Sequence, residues 1–393
     1  MAKSAYKRGG ESIRAGHEHS RLVDELPLVI EPSSPFVGML NYLPDSSSRG
    51  YSSHIFDSGA DDVLVGWLEP WLIPMSVCHE SKTATTFVAS PKSALFLYGL
   101  EEINLIPNFG SRLLIRMALR VGTRLAEIMK FENFAFIHNS LLTTNILERI
   151  SLPDTLDAAR RINRDFPGHY VGIRSISGSI NRGLHDALAE GGFRMIAARS
   201  IYICKDPLQQ LHRRRDHIRD SMLIEKHHLR FRKPVSDADF HTIAELYRLL
   251  YINKHSALNP HYSAQYFQCA MKSRFLSIIL IMREDAIIIG FIAFHRTAKV
   301  LSIPSMGYDP KGGDTFVYRA LMNYAFRVAA RNELTLHLSA GAASFKRSRG
   351  AIQEIEWMAV YLKNLHVVQR WFIRLLSYFS TKIAAPIMLR YRI

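Results

Sequence analysis

The sequence is short of cysteine and short of acid. Its three cysteines, Cys78, Cys204 and Cys269, stand far apart in a chain of 393 residues. They form no metal-ligand spacing and no disulfide framework, so a reducing, cytoplasmic setting is expected. Cys204 and Cys269 lie among apolar neighbours and read as small core residues. No uninterrupted apolar run reaches the roughly 18 residues of a membrane-spanning helix. The basic opening MAKSAYKRGGESIRAGHEHSR lacks the apolar stretch of a secretion signal. His227, His228, His255 and His261 lack a third ligand at a metal-binding spacing, and no catalytic metal is expected. Acids number 35 against 50 Lys and Arg, a formal charge of +15. That imbalance suits an anionic partner: nucleic acid, a phosphorylated cofactor, an acidic carrier protein or an anionic membrane. The plainer reading is a basic surface with no charged partner.

Apolar residues make up 48% of the chain and charged residues 22%, which excludes a disordered chain and provides a sizeable core. The length suits two domains of about 150–200 residues each. Residues 1–58 read as a flexible N-terminal segment, with the Ser-rich run PDSSSRGYSS at 44–53. Residues 59–206 read as a mixed α/β unit. TTFVASPKSALFLYGL suggests strands turning near Pro91, and SRLLIRMALRVGTRLAEIMKF (111–131) is an amphipathic helix. ENFAFIHN reads as a strand, TLDAARRINRDF as a helix, YVGIRSI as a strand, INRGLHDALAEGG as a helix, and FRMIAARSIYICKD as a final strand or hairpin. Residues 207–233 form a basic connector; the stretch 208–234 holds eight Lys/Arg and three acids. It reads as a solvated helix bridging two domains, or as a patch for a phosphate-rich partner.

Residues 234–365 begin again. A helix follows Asp237 as N-cap, then a second helix, then FLSIILIM, AIIIGFIAFHRT and KVLSIPSMGYD as successive strands. A long helix (315–332) and the strand LTLHLS (334–339) complete the order. Both halves share this order loosely, as a structural duplication would. Residues 366–393 read as an amphipathic C-terminal helix that packs on its own domain, meets a second subunit in a homodimer, or rests on a membrane surface.

Several stretches carry a family resemblance. They are LYRLLYINKHSALNP (246–260), SMGYDP (305–310), LTLHLSAGAASFKRSRGAIQEIEWMAVY (334–361), YVGIRSI and GGFRMIAARSIY. In this pattern the chain resembles the GNAT superfamily of N-acetyltransferases, and more narrowly the FemAB-like branch, over roughly residues 60–365. The Phe345–Lys346 pair with Gly350 close behind is its most specific element. The resemblance implies two tandem GNAT-like domains, each a mostly antiparallel mixed sheet flanked by helices, with the N-terminal copy degenerate. It implies an N-acyltransferase that forms an amide between an activated acyl donor and an amine acceptor. The donor would be acyl-CoA or a phosphopantetheine-linked thioester on an acyl carrier protein, used as co-substrate with no tightly bound cofactor. An aminoacyl-tRNA donor is the alternative within the branch. A non-catalytic module binding an anionic carrier or RNA is the alternative outside it. The usual donor loop, Gln/Arg-x-x-Gly-x-Gly/Ala, is replaced here by GYDPKGGDTF (307–316).

The residues suited to this chemistry lie mostly in the second half. Lys346, Arg347 and Arg349 follow a run of small residues, Ser339 to Ala343, where a ligand can approach the backbone. Ser339, Gly341, Phe345 and Arg349 are donor-binding candidates, and Lys346 is a candidate for oxyanion or phosphate neutralisation. Lys311, Gly312 and Gly313 precede a helix N-terminus, where free N–H groups suit a phosphate. Tyr308 is a candidate general acid and Asp309 a base or orienter; the alternative is that Asp309-Pro310 starts a turn. Glu354 and Glu356 share a strand face, one to pair with Lys346 or Arg349 and one, Glu356, to act as base. His295 is either a group facing the amine or a core histidine. By the resemblance, Tyr251, Lys254 and Asn259 stand on the acceptor side.

Overall fold

The computed structural model describes residues 28–44, 52–57, 63–79, 86–148, 150–312 and 316–391. Its strands are β1 (Val63–Leu68), β2 (Ile73–Cys78), β3 (Phe134–Ile137), β4 (Tyr170–Ser177), β5 (Phe193–Cys204), β6 (Arg230–Arg232), β7 (Ser277–Met282), β8 (Ile288–Arg296), β9 (Val300–Tyr308), β10 (Thr335–His337) and β11 (Ile352–Tyr361). They form one sheet in the order β1-β2-β3-β4-β11-β5-β10-β9-β8-β7-β6. The first-half helices are α1 (Phe36–Leu40), α2 (Ser52–Ile55), α3 (Tyr98–Glu102), α4 (Phe109–Ile128), α5 (Leu152–Asp165) and α6 (Leu184–Glu190). Then come α7 (Pro207–Arg213), α8 (Arg215–Lys226), α9 (Asp237–Tyr247), α10 (Ala264–Lys272), α11 (Val317–Arg331), α12 (Ala343–Ser348), α13 (Val367–Phe379) and α14 (Ala385–Tyr391).

The sheet carries the expected duplication in its topology. Each half has one parallel pair, β3–β4 joined through α5 and β9–β10 joined through α11. The other pairings are antiparallel. After the parallel pair, each half runs through a short helix into its longest strands, β5 and β11. These two cross over. β5 pairs with β10 of the second half, and β11 pairs with β4 of the first. They also pair with each other over ten register positions from Ile352 to Tyr361. The two mixed α/β units are therefore one continuous sheet with their last strands exchanged.

Local chemistry explains where the structure departs from the sequence reading. The stretch around Pro91, expected as strands, is helical: a π-helix at Ser93–Leu97 runs into α3. Ser90 Oγ accepts from the Ser93 amide at 3.0 Å as an N-cap, and Pro91 takes the first helical position its fixed φ suits. The cap of α9 is Ser236, not Asp237. Ser236 and Asp239 form a reciprocal capping box, and Asp239 also takes a bidentate pair with Arg232 at 2.8 Å. The segment 1–58 was expected to be loose. From Leu28 to Pro44 it is packed, with Ile30, Phe36, Met39 and Leu40 buried; the rest of the Ser-rich run up to Tyr51 lies outside the described residues. The basic connector is helical with a solvated basic face, as expected, but its other face is packed on the second half. His217 and Asp220 on α8 are buried, Asn323 of α11 donates to the His217 carbonyl at 3.1 Å, and β6 joins the sheet beside β7.

One edge needed covering. β10 reaches only Ile203 and Cys204 of β5, so the earlier part of β5 has no strand on that side. The α13 helix and the π-turn after it seal the gap: Ser377 Oγ donates to the Met195 carbonyl at 2.6 Å, and the Ala197 amide donates to Ser380 Oγ at 3.1 Å. The exchange itself requires close backbone approach at Gly172 on β4. A Cβ there would stand 2.6 Å from the Ala359 carbonyl of β11 and 2.6 Å from the Phe134 ring. Gly172→Ala is expected to cost about 1–3 kcal/mol, seen as a lower urea midpoint, whereas Gly178→Ala, with open space around it, leaves the midpoint in place.

Candidate functional site

β9 and β10 stay paired for three residues, Thr335 to His337 against Val300 to Ser302, and then diverge. The loop after β3 reaches both walls of the wedge they leave. Thr143 Oγ1 donates to the Pro304 carbonyl at 2.9 Å, and Thr144 Oγ1 lies 3.3 Å from Ser339 Oγ. Two arginines hold that loop from the first half. Arg174 on β4 is buried and donates to the carbonyls of Leu142 at 2.7 Å and Thr143 at 2.9 Å. Arg199 on β5 donates to the same Thr143 carbonyl and to Thr144 Oγ1 at 2.6 Å. The two guanidiniums share the ring of Phe87, at 5.8 and 5.7 Å.

Arg199 is the centre of the group. Its guanidinium is paired with both oxygens of Glu356, at 2.9 and 3.2 Å, and it keeps 23% of its side-chain surface exposed. Burial pushes Glu102 on α3 up to about 7 against the opposing pull of Arg199. Burial, with Glu102 nearby, lifts the Tyr98 hydroxyl to about 12. Burial lowers His337 to about 4 within the fields of Glu356, Arg199 and Lys346. His337 Nδ1 accepts from the Ser339 amide at 3.1 Å, which leaves the proton of the neutral ring on Nε2.

Lys346 sits under this group rather than in solvent. It is 5% exposed, and its Nζ donates to the carbonyls of Leu338 and Ala340 at 2.6 Å each, with Ser339 at 3.4 Å. Burial, and then Arg199, bring it down to about 7. A buried ammonium held only by neutral carbonyls is expensive to keep charged. Non-glycine residues with left-handed backbone gather around the cluster: His138 (φ 56°), Leu141 (56°), Ser175 (66°), Ser339 (58°) and Ala342 (48°). Such conformations cost on the order of 1 kcal/mol or more each, and they collect where a site must hold its shape.

The sequence candidates divide between this group and structural roles. Lys346, Glu356 and Ser339 are in it, but Glu356 pairs with Arg199, not with Lys346 or Arg349. Glu354 accepts from the Ser179 hydroxyl at 2.5 Å and lies apart. Asn259 donates to the carbonyls of Tyr251 and Ser256, and its side chain meets Tyr98. Tyr251 stacks on Tyr247 at 4.7 Å and is raised by burial and by Tyr98 and Tyr308. The Lys254 ammonium is 5.9 Å from the Tyr308 ring. Asn259 and Tyr251 thus join the cluster through Tyr98, and Lys254 meets Tyr308. Half-buried Tyr308 continues through Tyr318 to Phe345, at 6.2 and 4.7 Å.

Other candidates are held elsewhere. Asp309 Oδ1 accepts from the Lys311 amide at 2.8 Å, and the Gly312 amide reaches the Asp309 carbonyl; this is a closed turn, with Lys311 exposed. Gly313 lies outside the described residues, and Gly341 is an exposed left-handed position (φ 76°). Arg349 is buried on Asp220 at 2.6 Å and lies 3.4 Å from the Phe345 ring centre, so it anchors α12 to α8. His295 is a neutral core histidine against Phe275, lowered to about 4 by burial with no charged neighbour acting on it. Tyr98, Glu102, Arg174, Arg199 and His337 were not read from the sequence. Two of them had a signal: Arg174 is the lone charge in the apolar strand YVGIRSI, and Arg199 stands mid-strand in FRMIAARSIYIC, where a charge is not buried without a partner or a purpose.

Glu356→Gln leaves the Arg199 guanidinium without a carboxylate and is expected to lower stability by on the order of 3 kcal/mol, read from urea unfolding at neutral pH. Three imidazoles, His138, His295 and His337, are lowered from 6.5 to about 4. The unfolded chain binds those protons first, so stability holds above pH 6.5 and falls as the pH drops from 6.5 to 4. His295→Leu is expected to flatten that fall in unfolding curves taken at pH 7, 5.5 and 4.5.

No family model matches this sequence, and no curated protein matches it. Solved structures similar to it include the C-terminal domain (DUF2156) of a putative lysylphosphatidylglycerol synthetase from Agrobacterium fabrum. That structure is 11% identical, with a TM-score of 0.48, covering 94% of this chain and 99% of that one. L-PGS from Bacillus licheniformis is 16% identical over 57% of this chain and 77% of its own, with a TM-score of 0.42. FemX is 12% identical over 57% and 79%, with a TM-score of 0.43.

Proposed function

We propose that the protein is an acyltransferase of the GNAT-like, FemAB-type kind, joining an activated acyl group to an amine at the seam between its halves. The observation that carries this reading is the pair of groups brought to about 7 beside the Arg199–Glu356 pair: the Glu102 carboxyl is raised above its ordinary range and the Lys346 ammonium is lowered below its own. Acyl transfer needs a base and a cation active at the same pH, and opposed environments are how one site supplies both.

In the proposed reaction the acceptor nitrogen attacks the donor carbonyl carbon. The amine proton passes to the Glu102 carboxylate, and the carbonyl oxygen becomes an oxyanion beside the Arg199 guanidinium, with Lys346 adding positive field from below. The tetrahedral centre then collapses to the amide as the C–S or C–O bond to the leaving group breaks, and the expelled thiolate or ribose alkoxide takes the proton back from Glu102, which restores the carboxylate. Glu356 positions Arg199. Tyr308, Lys254, Tyr251 and Asn259 lie on the acceptor side. The interior carries Arg174, Arg199 and Lys346 against the carboxylates of Glu356 and Glu102, and the remaining excess of positive charge favours an anionic donor. Acyl-CoA or a carrier-bound thioester is the first reading. Aminoacyl-tRNA is the second, supported by the overall charge of +15.

The test is incubation with acyl-CoA, acyl-carrier and aminoacyl-tRNA donors and a panel of amines, with products identified by mass spectrometry. Turnover is expected from one donor class, with kcat/KM rising as Glu102 loses its proton, falling as Lys346 loses its own, and peaking near pH 7. Glu102→Gln is expected to lower kcat by about 10²–10⁴-fold, remove the acid limb and leave the urea midpoint unchanged. Full activity in that variant, or no amide from any donor, would overturn the assignment.

A further inference from the structure

Two helices leave apolar residues in the open on the same face of the sheet. α4 buries Ala126 and packs Leu119 into the cluster formed by Phe96, Phe131, Phe134 and Tyr170, and α13 buries Ile373 in that same cluster. Phe131, three residues beyond the end of α4, lies 5.3 Å from Phe372 of α13, so the C-terminal end of α4 comes near α13 through the shared cluster. Their outer surfaces are not polar. On α4, Phe109, Leu114, Met117, Val121 and Ile128 are exposed, Phe109 by 75% and Ile128 by 69%. On the run from α13 to α14, Trp371, Leu375, Tyr378, Phe379 and Ile383 are exposed, Trp371 by 64%.

Cations border both stripes. Arg112, Arg116, Arg120 and Arg124 recur every fourth residue along α4, on the flank of its apolar stripe. Arg370 and Arg374 hold the same flank on α13, with the Arg374 guanidinium 5.8 Å from the Trp371 ring. At the N-terminal end of α13 a groove of about 290 Å³ adds Arg160, Arg164 and His366. By length and composition the helical run Val367–Tyr391 could cross a bilayer, with an 18-residue stretch of mean hydropathy 1.2. Its inner side is instead tied to β5 through Ser377 and Ser380, so the run lies along the protein with its apolar stripe facing outward.

We propose that α4 and the α13–α14 run together form a docking surface for an anionic lipid bilayer, lying in the interface with their apolar stripes among the acyl chains and their arginines at the phosphates. The chemistry favours lipid over a second copy. An isologous dimer would bring arginine-bordered stripes against each other, whereas anionic headgroups complement them. Trp371 and Tyr378 have the ring types that settle at a membrane boundary. This inference stands apart from the acyl-transfer reading, because binding needs no turnover.

The test is co-sedimentation of the full-length protein with vesicles of phosphatidylcholine alone and of phosphatidylcholine with phosphatidylglycerol, at low and physiological salt. Binding is expected to the anionic vesicles, weakening with salt, and at least about tenfold lower for Trp371→Ser/Leu375→Ser and for Arg116→Gln/Arg120→Gln. Trp371, Leu375 and Arg120 are exposed, and half-buried Arg116 gives up one hydrogen bond to Asn104, so the variants are expected to stay close to the parent urea midpoint. Absence of pelleting with anionic vesicles, or equal pelleting with neutral ones, would overturn the proposal. So would a dimer in light scattering that these substitutions dissociate while no vesicle binding is seen.

Discussion

Arg199 and Glu356 face each other directly across β5 and β11, beside the bulge that follows Glu356. Much of the molecule depends on that pair. β5 and β11 are the exchanged strands, so the contact is a clasp between halves as well as an ion pair. A guanidinium suits the position because its planar fork can take both carboxylate oxygens and still donate to the Thr143 carbonyl and the Thr144 hydroxyl. A lysine there would hold one oxygen or the loop, not both. The pair therefore fixes three things together: the register of the central ladder, the loop that plugs the wedge between β9 and β10, and the field felt by Glu102, His337 and Lys346.

The exchange also explains why the first half is not a spare copy. Its loop fills the wedge of the second half, its arginines hold that loop, and its helix α3 supplies Glu102. Buried ion pairs are weak sources of stability, and a well-packed apolar core would serve stability better. Here burial goes further, since Arg174 and Lys346 are held by carbonyls rather than carboxylates. Left-handed residues add strain in the same place. A fold that accepts both costs at one point has been shaped there by something other than stability, and a preorganised positive site for an anion fits that description.

Much of the fold was legible because its signals are local. Strands such as FLSIILIM and YVGIRSI are β-branched runs with clear ends, and the helices begin at Asn108, Ser151 and Ser263, whose side chains cap them. The repeated order of elements gave the duplication. Strand exchange was not legible, because nothing in IQEIEWMAVY says which neighbour it will pair with. The site was half legible for the same reason. Phe345–Lys346 and Glu356 lie near one another in sequence, whereas Glu102, Arg174 and Arg199 come from far upstream and meet them only through the exchange. Arg349 and Asp309 misled because a cation or an acid near a glycine looks alike whether it faces a ligand or a turn. Only Asp220 and the Lys311 amide, respectively, decide the matter.

The excess of base over acid in the composition can now be assigned to places. Some of it is turned inward at the seam, where desolvation lowers Lys346 and Arg174, to about 7 and about 10. Another share lies along α4 and α13, where it borders apolar side chains that are exposed among the described residues. The two uses obey different physics. Inside, each cation acts at short range in a medium that screens poorly, so moving one by an ångström changes the site. Outside, each acts through salt water over about 8 Å, so the stripe works by sum and tolerates single losses. A basic isoelectric point alone could not separate these roles, and the burial of each arginine does.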